Sequence, residues 1–170
     1  MRYLAKNLLL SKILLIGLFL SSLAVFSSSA ETKPYPVIPF SLWPQKTIKG
    51  FRILVADSPK LSFQGFGGAA KKEFHKTLMI FPAISEGTTF ENINHGFGTV
   101  IEDLDIAFLD QQGRVLCIDR MKKIRGTATA PSQTVWAVEF SPKTTKQLKP
   151  KRGELFPYFA EIVLFFLSLQ

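Results

Sequence analysis

Apolar runs separated by short polar stretches divide the chain after residue 50 into segments that predict β-strands. The runs at 51–56, 76–81 and 134–140 are rich in β-branched and aromatic residues, which is typical of core strands. A shorter run at 88–90 predicts another strand. Trp136, Val138 and Phe140 alternate along their run, so they are expected on one face of a sheet.

The strongest local signal is a pair of apolar runs around a turn. Residues 104–109 and 114–118 flank the polar segment 110–113, which ends in Gly113. Two β-rich runs joined by a short turn that contains glycine are typical of a β-hairpin. The sequence therefore predicts that these two strands pair antiparallel.

Two short helices are predicted where a serine precedes a proline. A serine hydroxyl can accept a hydrogen bond from a free N–H of the first helical turn, and proline fits the first helical position. Ser58-Pro59 predicts a helix that Gly65 ends, and Ser141-Pro142 predicts a helix that runs towards Leu148. At least six strands with two short helices predict a mostly β domain, a single compact β-sandwich or barrel.

The N-terminal 30 residues have the three-part pattern of a secretory signal peptide. Three basic residues precede or enter an apolar centre at 13–26, and the small residues Ser28 and Ala30 occupy the positions that a signal peptidase reads. We expect cleavage after Ala30 and a periplasmic or extracellular protein. An uncleaved anchor that attaches the protein to the membrane stays open as the alternative, because the apolar stretch 8–26 is nearly long enough to span a bilayer.

The remaining segments outside the domain differ in composition. Residues 31–48 are rich in proline and predict an extended lead-in, so the folded domain is expected at 49–156. Residues 157–170 contain the most hydrophobic run of the mature chain, which is too short to cross a membrane comfortably. We interpret this run as a final buried strand. A tail that binds a membrane surface or a partner is the alternative.

The charge balance limits the classes of partner. The 21 basic and 13 acidic residues give a net charge of +8, and loss of the three basic residues in 1–30 leaves +5. A basic exported protein is suited to an anionic glycan, a lipid head group or an acidic envelope protein. Nucleic acid is not expected as a partner, because the basic clusters lack the interleaved aromatic residues that stack on bases.

Cysteine and glycine usage excludes two further classes. Cys117 is the only cysteine, so no internal disulfide can form, and its apolar neighbours predict a buried small side chain. The glycine-rich stretch 65–68 lacks the Lys-Ser/Thr of a phosphate-binding loop and the spacing of a dinucleotide-binding loop. It predicts a turn, and no cofactor is expected.

The candidate binding site is the loop that leads into the hairpin. Loops held by a rigid β scaffold often carry binding residues. This loop and the start of the next strand combine amide, imidazole, hydroxyl and carboxylate groups: Asn92, Asn94, His95, Thr99, Asp103 and Asp105. Although carboxylates and an imidazole can hold a cation, their spacing matches no metal motif, so no metal is predicted.

The same loop permits an enzymatic alternative. Asp103 and Asp105 are two positions apart and would point to one side of a strand, where each could raise the pKa of the other. With His95 they could form the centre of a small hydrolase or a metal-dependent enzyme. His75, in the charged stretch 71–76, is interpreted as a surface residue.

Several short segments follow the order and spacing of a known family. They include the hairpin from Leu104 to Val115, the strand from Phe51 to Asp57 and the stretch Leu148 to Glu154. Over about 51–156 the chain resembles the domain of unknown function 192 family, also called uncharacterised protein family 0127. The resemblance implies a compact, mostly β domain of jelly-roll-like type, found in exported or membrane-attached proteins, with no established activity.

One departure from the family bears on function. Many members carry a Phe-Trp-Met-Lys-Asn-Thr signature just before the hairpin, whereas this chain has His95 to Val100 there and keeps none of those residue types in register. The role of that signature therefore does not transfer. The sequence favours a non-catalytic, exported, ligand- or partner-binding β domain, and the alternative is the envelope enzyme centred on His95, Asp103 and Asp105.

Overall fold

The computed structural model describes residues 35–170 of the chain. The predicted signal peptide at 1–30 lies outside the described residues. None of the helices in the described part combines the length and the apolar character that a membrane span requires.

Eight strands form two sheets. The strands are β1 (Gln45–Ile48), β2 (Phe51–Val55), β3 (Thr77–Phe81), β4 (Thr89–Glu91), β5 (Leu104–Leu109), β6 (Val115–Met121), β7 (Thr127–Thr129) and β8 (Trp136–Phe140). Six of them form a mixed sheet in the order β1-β2-β3-β8-β5-β6, in which only β2 and β3 pair parallel, and β4 pairs with β7 in a two-stranded sheet. The mostly β prediction is confirmed, although the described strands do not close into a barrel.

The large sheet is covered on both faces. Along each strand successive side chains alternate between the faces, so Leu54, Met79, Ile106 and Phe108 belong to the first face. Phe90 and Ala128 of the two-stranded sheet pack on this first face. The second face is formed by a different set: Ile53, Val55, Ile80, Val138 and Phe140.

Both predicted helices are confirmed. Helix α1 spans Pro59–Gln64; the N–H of Leu61 donates to the Ser58 hydroxyl and Gly65 follows the last turn. Helix α2 spans Pro142–Leu148 and begins in the same way at Ser141, whose hydroxyl accepts from the N–H of Thr144. Local capping chemistry therefore determines where each of these helices starts.

The predicted C-terminal strand is wrong. Residues Phe159–Leu167 form a third helix, α3. Phe159, Ile162 and Phe165 recur at intervals of three, and this helical spacing buries all three on the second face of the sheet. The run is apolar enough to resemble a strand, but its burial follows the helical period.

The proline-rich lead-in also departs from the prediction, because it is part of the folded domain. Phe40 and Trp43 are buried in the core of the first face, and the Trp43 indole N–H donates to the carbonyl of Ile38. A 3-10 turn at Phe40–Leu42 and strand β1 both lie before residue 49. The prolines keep this segment extended while its aromatic residues fill the core, so the domain boundary lies earlier than expected.

Candidate functional site

Two of the predicted site residues are occupied by internal hydrogen bonds. Asn92 is buried, and its side-chain amide donates to the carbonyls of Met121 and Lys122 at 3.3 and 3.1 Å. The side-chain oxygen of Asn94 accepts from the N–H groups of Gly96 and Gly98 at 2.9 and 3.1 Å. Both amides hold the loop in place, and Asn92 is too deeply buried for direct contact with a ligand. Asn94 is exposed and uses only its oxygen within the loop.

His95 lies at the surface of the same loop. Its Nε2 is 3.6 Å from a carboxylate oxygen of Glu91, and its ring centroid is 5.1 Å from that of Phe63 on α1. Thr99 is half-buried nearby in sequence. His95 therefore contacts its own loop and α1, and neither contact involves Asp103 or Asp105.

Asp103 and Asp105 do not form the predicted acid pair. Asp103 precedes β5 and accepts from the Lys122 ammonium at 3.2 Å and from the Lys123 N–H at 3.0 Å. The backbone N–H of Lys123, followed by the Lys122 ammonium, lowers the pKa of Asp103. This shift is opposite to the predicted direction.

Asp105 lies on β5 and is buried towards the second face. Its carboxylate accepts hydrogen bonds from both Arg120 on β6 and the hydroxyl of Thr145 on α2. The bond to Asp105 raises the pKa of Arg120. Asp105 therefore ties the hairpin to α2, which is a structural role.

We expect Asp105→Asn to lower the free energy of unfolding by about 2 kcal/mol, because it removes the charge that Arg120 pairs with and leaves the guanidinium without it. Urea unfolding measures this effect. Asp119→Asn, on the exposed part of the same hairpin, is the control and should change stability by less than about 0.5 kcal/mol. Equal losses in the two variants would mean that the Asp105 contacts contribute no specific stability.

Metal ligands are not gathered anywhere in residues 35–170. In this part of the chain, no three His, Cys, Asp or Glu side chains come close enough to hold one ion. Cys117 is half-buried against the first-face core, and burial, followed by the charge of Asp119, raises the pKa of its thiol. A raised pKa keeps the thiol protonated and poorly nucleophilic at neutral pH.

A cleft of about 970 Å³ lies elsewhere, where four chain segments meet. This volume is at the upper end of the range for small-molecule sites. Its lining comes from residues 71–75, 101–103, 120–123 and 141–143. Phe74, Ile101 and Pro142 supply apolar surface, and Asp103 is the one predicted site residue in the lining.

The charged side chains of the cleft favour an anion. Four basic and two acidic residues line it: Lys71, Arg120, Lys123 and Lys143, with Glu102 and Asp103. Both acids are engaged, since Glu102 lies 3.6 Å from the Lys71 ammonium and Asp103 pairs with Lys122. Within residues 35–170 no ion pair involves the ammonium group of Lys123 or of Lys143.

His75 also lines the cleft. The charged run around it indicated only a surface position. The basic clusters at 122–125 and 143–152 indicated an anionic class of partner but no site, and the fold brings Lys123 and Lys143 of these clusters together with 71–75. That proximity depends on the pairing of β8 with both β3 and β5, which the sequence alone did not predict.

Comparison with known proteins gives few likenesses. No protein-family model matches the chain, and no curated protein matches it. A solved structure described as a putative transcription regulator from Sinorhizobium meliloti 1021 is 17% identical, with 61% of this chain and 78% of that chain covered and a TM-score of 0.49. A protein of unknown function from Novosphingobium aromaticivorans DSM 12444 is also 17% identical, with 76% of this chain and 96% of that chain covered and the same TM-score of 0.49. These likenesses are too weak to carry an argument about function.

Proposed function

We propose that the protein is a non-catalytic binding domain whose ligand presents carboxylate, sulfate or phosphate groups to the basic cleft. The observation that carries the proposal is the pair of ammonium groups, on Lys123 and Lys143, that line the cleft without an ion-pair partner in residues 35–170. Both lysines are exposed, and an ammonium group without a carboxylate partner attracts an anion more strongly than one that is already paired. Phe74 and Ile101 add apolar contact for the rest of the ligand.

The dispersal of the candidate catalytic groups supports binding over catalysis. General acid–base chemistry requires groups within hydrogen-bond reach of one substrate. His95 contacts Glu91 and Phe63, Asp105 is buried against Arg120 and Thr145, and Asp103 is held by Lys122 and Lys123. The envelope enzyme centred on these three residues therefore has little geometric support.

We further propose that the protein acts in the periplasm or at the envelope surface, as a divergent member of the domain of unknown function 192 family. The leader pattern at 1–30 supports export. The order and spacing of the segments at 51–57, 104–115 and 148–154 are the basis for proposing membership. An anionic envelope glycan or a lipid head group is a ligand of the proposed chemistry in that compartment.

The test is calorimetric titration of the protein with three probes that differ in their anionic group: inorganic phosphate, tetragalacturonate for carboxylates and a heparin tetrasaccharide for sulfates. We expect at least one probe to bind with an affinity that falls as salt rises. Lys123→Gln combined with Lys143→Gln should weaken that binding by about tenfold or more.

Lys60→Gln is the matched control, because Lys60 is an exposed lysine on α1 and does not line the cleft. It should leave the affinity unchanged. If all three probes fail to bind, or if the control weakens binding as much as the cleft variant does, the proposal is overturned. The probe that binds best would identify the anionic group of the ligand.

A further inference from the structure

Helix α3 carries an apolar ridge that nothing in residues 35–170 covers. Its inner residues Phe159, Ile162 and Phe165 are buried, whereas Leu164 and Leu167 are 68% and 59% exposed. Residues three apart lie on the same side of a helix. The two leucines therefore form one outward ridge.

The flanks of this ridge differ in chemistry. Successive helical residues are about 100° apart, so Phe165 and Phe166 lie on opposite flanks of the ridge. The Lys46 ammonium is 5.9 Å from the centroid of the Phe165 ring, and Trp136 contacts Phe166 edge-on with a centroid distance of 5.3 Å. Trp136 and Lys46 thus contact the helix that carries the exposed leucines, and tryptophan and lysine are residue types that favour the interface between lipid tails and head groups.

Charge adds a second argument. From residue 146 to residue 170 the chain carries four basic and two acidic side chains. The basic residues all precede α3, and those nearest to it, Lys149, Lys151 and Arg152, are exposed. This excess of positive charge complements a surface of anionic head groups.

We propose that α3 docks on an anionic lipid surface, with Leu164 and Leu167 inserted among the acyl chains and the neighbouring basic residues among the head groups. An interfacial helix combines these two contributions, since apolar insertion and electrostatic attraction add. A ridge of two leucines is small beside the roughly 1,000 Å² that a stable protein interface buries. It is sufficient for shallow insertion into lipid.

Glu161 is the only charged residue of α3 and is exposed. It lies on the flank that Phe165 occupies, where its carboxylate would be close to anionic head groups and would be repelled by them. Its removal is therefore expected to strengthen docking, whereas a protein partner with a basic residue opposite Glu161 would bind more weakly to the same variant.

The test is quenching of Trp136 fluorescence by vesicles that contain brominated phosphatidylglycerol and phosphatidylcholine. The chain has two tryptophans, Trp43 and Trp136, and Trp43→Phe leaves the one beside α3 as the only reporter. No tryptophan lies in residues 1–34, so the reporter is not part of the leader, and quenching that is lost in Leu164→Gln combined with Leu167→Gln is assigned to α3. We expect quenching that decreases at high salt and in vesicles of phosphatidylcholine alone.

Leu164→Gln combined with Leu167→Gln should reduce the apparent vesicle affinity by about tenfold, and Glu161→Gln should increase it. Leu42→Gln is the matched control, because Leu42 is 73% exposed and lies in the lead-in that packs on the first face of the sheet. It should leave the affinity unchanged. Circular dichroism checks that the variants are folded.

Three results would overturn the proposal. Trp136 that is not quenched by anionic vesicles excludes docking. Equal quenching by zwitterionic vesicles removes the role of charge. A dimer in light scattering that Leu164→Gln and Leu167→Gln dissociate would assign the ridge to a second copy of the chain. The cleft variant, Lys123→Gln combined with Lys143→Gln, keeps both leucines and the basic residues nearest to α3, so it should leave the salt-dependent quenching in place while it weakens binding of the calorimetric probes. This proposal and the proposed function therefore fail or succeed separately.

Discussion

Glu139→Gln is expected to raise the free energy of unfolding by about 5 kcal/mol at pH 8 and above. Glu139 lies on β8, in the middle of the six-stranded sheet, between Met79 and Ile106 of the neighbouring strands. It is 5% exposed, and burial raises its pKa from 4.5 to about 8. The side chain is therefore a neutral acid in the folded protein at neutral pH.

The direction of the pH dependence follows from this shift. The folded protein binds the Glu139 proton more tightly than the unfolded chain does, so stability is greatest below pH 4.5 as far as this group is concerned. It falls by about 1.4 kcal/mol per pH unit until the folded-state pKa near 8 is reached. Glutamine has nearly the same shape and does not ionise, so this loss should disappear in the variant.

Urea unfolding at several pH values between 5 and 9 measures the prediction. The stability of the natural protein relative to Glu139→Gln should decline steadily with rising pH. Glu86→Gln, at an exposed glutamate in the loop before β4, is the control and should follow the natural protein at every pH. If the two variants give parallel curves, Glu139 is not the acid whose pKa is raised.

Features that depend on neighbouring residues were predictable from the sequence. The hairpin of β5 and β6 follows from two apolar runs around Asp110 to Gly113, and α1 and α2 follow from Ser58-Pro59 and Ser141-Pro142. In each case the hydrogen bonds that define the element lie within a few residues of its signal. These elements form in the structure where they were expected.

Features that depend on how the elements pack were not predictable in the same way. A glutamate that alternates with Val138 and Phe140 indicates an exposed side of a strand, but both faces of this sheet are covered, so Glu139 is buried. The C-terminal run was wrongly predicted to be a strand, because its nearly continuous hydrophobicity hides the helical period of its buried residues. The side that faces solvent is defined only by the sheet against which α3 packs.

The candidate site shows the same limit. Asn92 and Asn94 were identified by their polar character, but their hydrogen bonds are internal to the loop and its neighbours. The cleft joins four segments separated by up to about 70 residues, and only Asp103 was identified among them. Recognising the others required the strand order β3-β8-β5-β6, which brings the ends of these strands together.

The second large predicted effect is a loss of stability on substitution in the glycine-rich stretch 65–68. The sequence predicted only a turn there. Gly68 and Gly98 lie where two chain segments cross with their backbones in contact, so neither position has room for a side chain. A Cβ on Gly98 would lie 2.9 Å from the Cα of Gly68, and a Cβ on Gly68 would lie 2.7 Å from Cγ2 of Val37 and closer still to the carbonyl oxygen of Phe97. An added Cβ at either glycine would therefore have to push the two backbones apart.

Gly68→Ala is therefore expected to lower the free energy of unfolding by about 4 kcal/mol. Part of the loss comes from a left-handed backbone at φ +70, which costs a residue with a Cβ about 1 to 2 kcal/mol. The larger part comes from the overlap with the Phe97 carbonyl, because overpacking against backbone forces the two segments apart. Urea unfolding at a pH near 6 measures the difference. Both the natural protein and Gly68→Ala retain Glu139, so its ionisation contributes equally to the two stabilities.

Gly50→Ala separates the two contributions. Gly50 has a similar left-handed backbone, at φ +81, but a Cβ there would meet nothing within 4 Å. It should cost only the conformational part, about 1 to 2 kcal/mol. Equal losses at the two positions would contradict the crossing, since backbone conformation alone would then account for both. A much larger loss at Gly68 would mean that the close approach of the glycine turn to the Phe97 backbone adds a packing cost to the conformational one.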